Sequence, residues 1–237
     1  MTEDFDFRTS GDSFLALRCL TCGSVFLSLV PADEAQPRVY PTEYFAAHAS
    51  PWRDALARGT RVLDLGPSVG ADHVRRLAQE AGAYDLVRLD LTLECAPDPL
   101  AVLHAVAAAL RPGGRVLVRF NNLRSPAFGW FGGRHWGGYD TPRQRRVLTS
   151  DGLATLARAA GLELVETRAV AMGEAWVRSF HRWCADWQAP SWIAARFADS
   201  ARASLGLFRL VELALRSRRR SALLIATLQR PETEVGP

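Results

Sequence analysis

The sequence predicts an open α/β sheet, and three stretches carry that prediction. Residues 61–70, RVLDLGPSVG, read as a buried strand that ends in a glycine-containing loop. Residues 110–122, LRPGGRVLVRFNN, read as a second buried strand, and residues 221–229, SALLIATLQ, as a last one. Arg61-Val62-Leu63-Asp64-Leu65 is an apolar run closed by a carboxylate, and Gly66 and Gly70 let the backbone turn against a ligand before a helix from about Ala71 to Gly82. A strand follows at Asp85–Leu91. Leu100, Leu103, Ala107 and Leu110 recur at helical spacing, and Arg111-Pro112-Gly113-Gly114 supplies the stop. Arg115–Phe120, Leu162–Thr167 and Ala222–Leu228 complete five expected strands in one sheet, with Asp85–Leu91 directly beside Arg61–Leu65.

Composition narrows the function classes. The chain has 237 residues, 48% of them hydrophobic, enough for one substantial core with extensions. Its formal charge is +4, and every basic residue is arginine, so coding bias explains the balance and no nucleic-acid partner is expected. Arg216-Ser217-Arg218-Arg219-Arg220 reads as a solvated helix end whose cations suit the negative dipole terminus. The start, MTEDFDF, lacks a basic region followed by an apolar stretch, and no apolar run approaches the ~20 residues that cross a bilayer. A cytoplasmic protein without a membrane partner is therefore expected. Cys19, Cys22, Cys95 and Cys184 form no disulfide framework.

The spacing Asp64, Gly66, Ser68, Gly70 follows D-x-G-x-G-x-G with serine at the middle glycine. YDLVRLDLTLE at 84–94, APDPLAVLHAVAAALRPGGRVLVRFNNLRS, FGGRHWGGYDTPRQ and LTSDGLATLARAAGLELVETR continue the pattern. In these residues the chain resembles the class I S-adenosylmethionine-dependent methyltransferases, in a small-molecule subgroup with an N-terminal zinc-ribbon-like segment. The resemblance runs roughly from Cys19 to Gln229. It implies a Rossmann-like methyltransferase open sheet whose last strand, Ser221–Gln229, is antiparallel. It also implies that Asp64, Gly66, Ser68 and Gly70 receive the methionine end of S-adenosylmethionine, that Asp90 and Leu91 line the fourth-strand edge and that Glu94 orients a loop.

One interval departs from the family. From Gly70 to Tyr84 is 84 − 70 = 14 positions, room for one helix, whereas a βαβ unit takes about 30 residues. The sheet is thus expected to be shortened by about two strands and a helix, the part that carries the ribose and adenine contacts in family members. Asp72 and Glu80, the acids in the short connection, stand too near the glycine loop to replace the ribose carboxylate.

Asn121–Gln144 is rich in aromatic and polar tips and poor in aliphatics, as loops that carry sites are. In the resembled subgroup this segment faces the acceptor, which implies Asn122, Trp130, Trp136 and Arg143 as substrate-binding residues and Tyr139 beside the chemistry. Two histidines of the family pattern are Gln144 and Cys95 here, leaving His135 as the general-base candidate. Catalytic roles are expected of His135, Tyr139 and Glu94. Methyl transfer is an in-line displacement, so an enzyme must chiefly hold donor and acceptor at near-attack geometry and remove a proton from a hydroxyl acceptor.

Residues 1–50 are expected to form a degenerate zinc-ribbon-like segment and connector, and residues 51–237 the methyltransferase-like domain with an aromatic helical excursion at 172–220. Cys19-Leu20-Thr21-Cys22-Gly23 is a knuckle, but two ligands are not four, so a remnant hairpin with Val25–Val30 as its apolar strand is expected in place of a zinc site. Pro31–Pro51 reads as a connector, helical around Glu43–His48, with Tyr40, Tyr44 and Phe45 available to cover the pocket. Trp176, Trp183, Trp187 and Trp192, with Phe180, Phe197 and Phe208, suit core packing, an acceptor lid or a homodimeric or heteromeric interface. Because the departure falls on the cofactor half, the residues favour a methyltransferase-derived protein with an incomplete site, acting as a partner subunit, a small-molecule binding module or a repurposed pocket. The alternative is an active S-adenosylmethionine-dependent methyltransferase acting on a natural-product or sugar intermediate.

Overall fold

The computed structural model describes residues 2–4, 11–30, 39–40, 59–67, 70–197 and 202–232. Its strands, in order, are β1 (Thr2–Glu3), β2 (Ser13–Phe14), β3 (Ala16–Arg18), β4 (Val25–Leu27), β5 (Val62–Leu65), β6 (Tyr84–Asp90), β7 (Leu110–Asn121), β8 (Arg146–Val147), β9 (Glu163–Val170) and β10 (Leu223–Gln229). The described helices are α1 (Ala71–Ala78), α2 (Thr92–Cys95), α3 (Pro99–Ala109), α4 (Pro126–Phe131), α5 (Ser150–Ala159), α6 (Glu174–Asp186), α7 (Ser191–Ala194) and α8 (Arg202–Arg216). Contacts divide the chain into two interleaved units: Met1–Pro41, Asn121–Thr149 and Arg168–Leu224 in one, Thr42–Phe120, Ser150–Thr167 and Ile225–Pro237 in the other.

The second unit is built on a five-stranded sheet in the order β5-β6-β7-β10-β9, a Rossmann-like α/β arrangement. β5 and β6 are parallel neighbours with Asp64 opposite Arg88, and β6 is parallel to β7 with Asp90 opposite Arg119. Only one helix, α1, lies between Gly70 and Tyr84. β10 runs antiparallel to β7: Gly113 and Gly114 bond Arg230 at one end, and Asn122 bonds Ala222 at the other.

Alternation along the strands sorts their side chains. Leu63 and Leu65, Val87 and Leu89, and Val116 and Val118 share one apolar face, and the four on the inner strands are essentially unexposed. Burying each such side chain contributes roughly 1.5–3 kcal/mol, which is why this stretch of sheet tolerates charge only on the opposite face. That face carries Asp64, Arg88, Asp90 and Arg119. Helix α3 starts at Pro99, capped by the Asp98 carboxylate, which accepts from the Leu100 and Ala101 amides at 3.0 Å. The strand after it begins at Leu110, earlier than the expected Arg115, because the Pro-Gly-Gly turn is absorbed into the pairing with Arg230.

In the first unit, β3 and β4 form an antiparallel hairpin around Cys19–Gly23, and β8 joins it as a third strand. The third strand is not legible in the sequence, since two residues carry no period. A separate core gathers Phe14, Leu27, Ala127, Phe131, Trp136, Tyr139, Val147 and Trp176. Arg182 reaches into it, donating to the carbonyls of Trp136 at 2.6 Å and Tyr139 at 3.0 Å. Gly137 lies so close to α6 that a Cβ there would stand 2.5 Å from the Ala175 carbonyl oxygen. The tail thus packs against the aromatic loop through Ser179, Arg182 and Trp176.

Candidate functional site

The donor-side candidates lie at the carboxyl ends of β5 and β6, where open α/β sheets take their ligands. Thr92 donates from its hydroxyl to the Leu65 carbonyl at 2.7 Å and so ties the two strand ends together. Leu91, between β6 and α2, takes the left-handed conformation, φ 54°, with its amide donating to the Arg119 carbonyl of β7 at 3.0 Å. A leucine pays about 1–2 kcal/mol for that conformation, so the surrounding bonds must hold it there. Gly66 and Gly70 are outside the left-handed region, and no described atom lies within 4 Å of where a Cβ would stand on either. Neither backbone geometry nor the described packing demands glycine at these two positions, whereas close approach of a ligand to the loop does. Ser68 lies outside the described residues.

Asp64 meets an unexpected partner. Arg88 donates to it from Nε at 2.5 Å and from Nη2 at 2.7 Å, a bidentate pair made possible by their facing register. Asp90 is paired with Arg119, whose Nε donates to Asp90 Oδ1, and this second pair is almost wholly buried. The two arginines at this edge are not flagged in the sequence as partners of the acids. Their signal was a charge flanked by apolar residues, in Val87-Arg88-Leu89 and Val118-Arg119-Phe120. Glu94 is fully buried within α2.

The acceptor-side candidates all belong to the first unit. Helix α4 is set by Ser125, whose hydroxyl accepts from the Phe128 amide, with Pro126 in the first turn and Gly132 at φ 61° ending it. It presents Trp130 to solvent, 77% exposed, edge-on to Trp176. His135 follows, its Nε2 3.0 Å from Asp186 Oδ2, while Arg134 holds the other oxygen of that carboxylate at 2.9 Å.

The other acceptor-side candidates are placed in packing. Trp136 is fully buried, edge-to-face with Phe128 at 5.1 Å, and Tyr139 is 3% exposed in the same cluster. Asn122 donates to the carbonyls of Arg219 and Ser221 and accepts from the Arg124 amide. Arg143, fully buried, clasps Asp4 and Asp140 and donates to the carbonyls of Val39 and Thr141. Burial alone would push its pKa down, but the two carboxylates outweigh that and raise it. The expectation that these four residues line a ligand surface meets a loop whose inner side is already filled.

Two further groups complete the map. Glu212, the one buried residue of α8, accepts from Trp176 Nε1 at 2.8 Å and from the Ala222 amide at 3.0 Å, and burial raises its pKa. In the knuckle, amides of Cys22 and Thr21 lower the pKa of Cys19, and Cys22 donates to the Ser24 hydroxyl. No group of three metal-ligating side chains occurs among the described residues. Tyr40 donates to the Arg143 carbonyl at 3.1 Å; Tyr44, Phe45 and the expected helix at Glu43–His48 lie outside the described residues.

A family model described as a methyltransferase domain matches residues 32–167, more than half of the chain. The chain belongs to the methyltransferase-domain family. This is the class I S-adenosylmethionine-dependent family that residues 64–70 and 84–120 resemble. Among curated members, the ubiquinone biosynthesis O-methyltransferase of Cupriavidus pinatubonensis is 31% identical over 131 residues, 48% of this chain and 51% of that protein. The protein with the same description from Vibrio parahaemolyticus is 37% identical over 76 residues, 31% of each chain. This methyltransferase-domain chain thus spans about half, or less, of the curated relatives it matches. The Burkholderia thailandensis 1,6-didemethyltoxoflavin-N1-methyltransferase aligns over 91% of this chain and 99% of its own at 15% identity, with a TM-score of 0.43, too remote to carry detail.

Proposed function

We propose that this chain is an S-adenosylmethionine-dependent methyltransferase acting on a hydroxyl group of a small molecule. The observation that carries the reading is the paired edge of β5 and β6: two parallel strand ends pinned by Thr92, a strained Leu91 and a glycine loop open to a ligand. Bound there, the cofactor supplies an electrophilic methyl group on a sulfonium. The chain's part is to orient it. The amides of the loop and the exposed side of Asp64, whose side chain is 40% accessible, receive the amino-acid end. Hydroxyl acceptors are supported by the curated relatives, which are described as O-methyltransferases.

A second reading is favoured by the arginines. With Asp64 held by Arg88 and Asp90 by Arg119, and with one helix between Gly70 and Tyr84, the chain offers half of a donor site. A non-methylating subunit or binding module is what such a site suits. Calorimetry and thermal shift with S-adenosylhomocysteine separate the two. A ligand at about a hundred times its Kd stabilises by ~2.7 kcal/mol. In a chain of this size that raises Tm by roughly 5–11 °C. The methyltransferase reading requires that rise and its loss in Asp64→Ala. No heat and no shift at millimolar ligand would overturn it and leave the second reading standing.

A further inference from the structure

Helix α8 exposes an apolar face. Leu207, Leu210 and Leu213 are 60%, 65% and 52% exposed, although a helix in a settled globular fold turns such residues inward. Helical geometry places them opposite Glu212, the buried residue of α8, so the outward face is the apolar one. Elsewhere in the same unit Trp187 and Trp192 are 71% and 67% exposed, and Trp187 stacks on Trp183 at 5.4 Å.

The polar part of this surface is predominantly basic, with Arg209 paired to Glu174 at 3.3 Å. Arg202, Arg209 and Arg216 are spaced seven apart and form a stripe along α8, which then runs into Arg218-Arg219-Arg220. Between Trp187 and Arg220 the sequence has seven arginines against two acids, and one of those acids is the buried Glu212. An exposed apolar face with arginines along its flank is the pattern of a helix lying in a membrane interface. At 15 residues α8 is about 22 Å long, too short to span, and no described helix is long and apolar enough to cross a bilayer. Surface docking needs no such length.

We propose that the leucine face of α8 and its arginines form a docking face for an anionic phospholipid surface, with the exposed Trp187 and Trp192 of the same unit inserting at its boundary. Charge complementarity selects this occupant over a second copy of the chain. Two copies meeting through this face would bring arginine stripes together, whereas lipid phosphates neutralise them and the acyl boundary accepts the leucines. Indole rings sit at the level of the headgroups for the same reason they suit any boundary with one dry and one wet side. Lipid docking does not depend on methyl transfer and is read without it.

The test is cosedimentation of the whole chain with vesicles of phosphatidylcholine, and with vesicles in which half of that lipid is replaced by phosphatidylglycerol. The expected result is partition onto the anionic vesicles at least about tenfold stronger than onto the neutral ones, weakened by salt, with a blue shift of tryptophan emission. Leu207→Ser combined with Leu210→Ser should cut partition about tenfold without lowering Tm, because both side chains are exposed. Trp192→Ser should also weaken it. Equal partition of wild type and both variants, or no partition, overturns the proposal. So does a stable dimer in sedimentation equilibrium that the leucine variant breaks apart, since the face would then belong to a second copy.

Discussion

Replacing Trp136 by alanine should unfold the first unit well before it affects any ligand contact directly. The side chain is fully buried, packs edge-to-face on Phe128 at 5.1 Å, and lies within the cluster that joins Phe131, Tyr139 and Trp176. A buried indole covers about 150–250 Å², which at roughly 25 cal/mol/Å² corresponds to about 4–6 kcal/mol. Core Trp-to-Ala replacements cost ~3–5 kcal/mol once the site relaxes. In a chain of this length that lowers Tm by roughly 6–20 °C. Gly138 sharpens the estimate, because a Cβ there would stand 2.5 Å from the indole, leaving little slack for the backbone to collapse into the cavity. Trp136→Phe should fall less far: the indole Nε1 has no hydrogen-bond partner among the described residues, so none is lost. The assay is urea unfolding followed by tryptophan fluorescence and circular dichroism, with ligand binding measured in parallel. A shift of under about 2 °C, together with lost ligand binding, would refute the packing argument and return Trp136 to the acceptor surface.

Two other substitutions test the buried charges of the same unit. Arg143→Met leaves Asp4 and Asp140 without their shared cation, and should cost about 3–5 kcal/mol in urea unfolding. A change in substrate affinity with stability unchanged would contradict this. Glu212→Gln tests a pH dependence. Burial raises the folded-state pKa of Glu212 above its ordinary 4.5, so the folded chain keeps that proton more tightly than the unfolded one. Its contribution to stability is fully present below about pH 4.5 and is lost as pH rises through the raised value. Glutamine can still accept from Trp176 and Ala222, so the variant should keep its stability while losing that slope; identical slopes in both proteins would sink the assignment.

The sheet was legible because its signals are local and repeated. Val62–Leu65, Tyr84–Asp90 and Leu223–Gln229 are apolar runs within two residues of where the sequence places them, and the short interval after Gly70 forces β5 against β6. The site was less legible because site signals are pairwise. Asp64 reads as a ligand carboxylate when taken alone. Its bond to Arg88 depends on parallel register across 24 residues, which no local period reports. Trp136 and Tyr139 misled in the opposite sense, since an aromatic loop without aliphatics looks like a binding surface until the first unit is seen to have its own core. Arg143 likewise reads as a substrate ligand until Asp4, 139 positions away, is brought to it.

The two strand-edge ion pairs divide recognition unevenly. A carboxylate offers about four acceptor positions, and Arg88 occupies two of those on Asp64. With 40% of its side chain accessible, Asp64 can still accept an ammonium group, although the adjacent guanidinium offsets part of the attraction. Asp90 has no such latitude: it is 5% exposed and locked to Arg119, and opening that pair would strand two charges out of water. A donor bound as proposed would therefore find at its methionine end an accessible carboxylate, and at the fourth-strand edge a neutralised, closed one. On that reading Asp64, not Asp90, is the carboxylate whose replacement separates methyl transfer from mere fold inheritance.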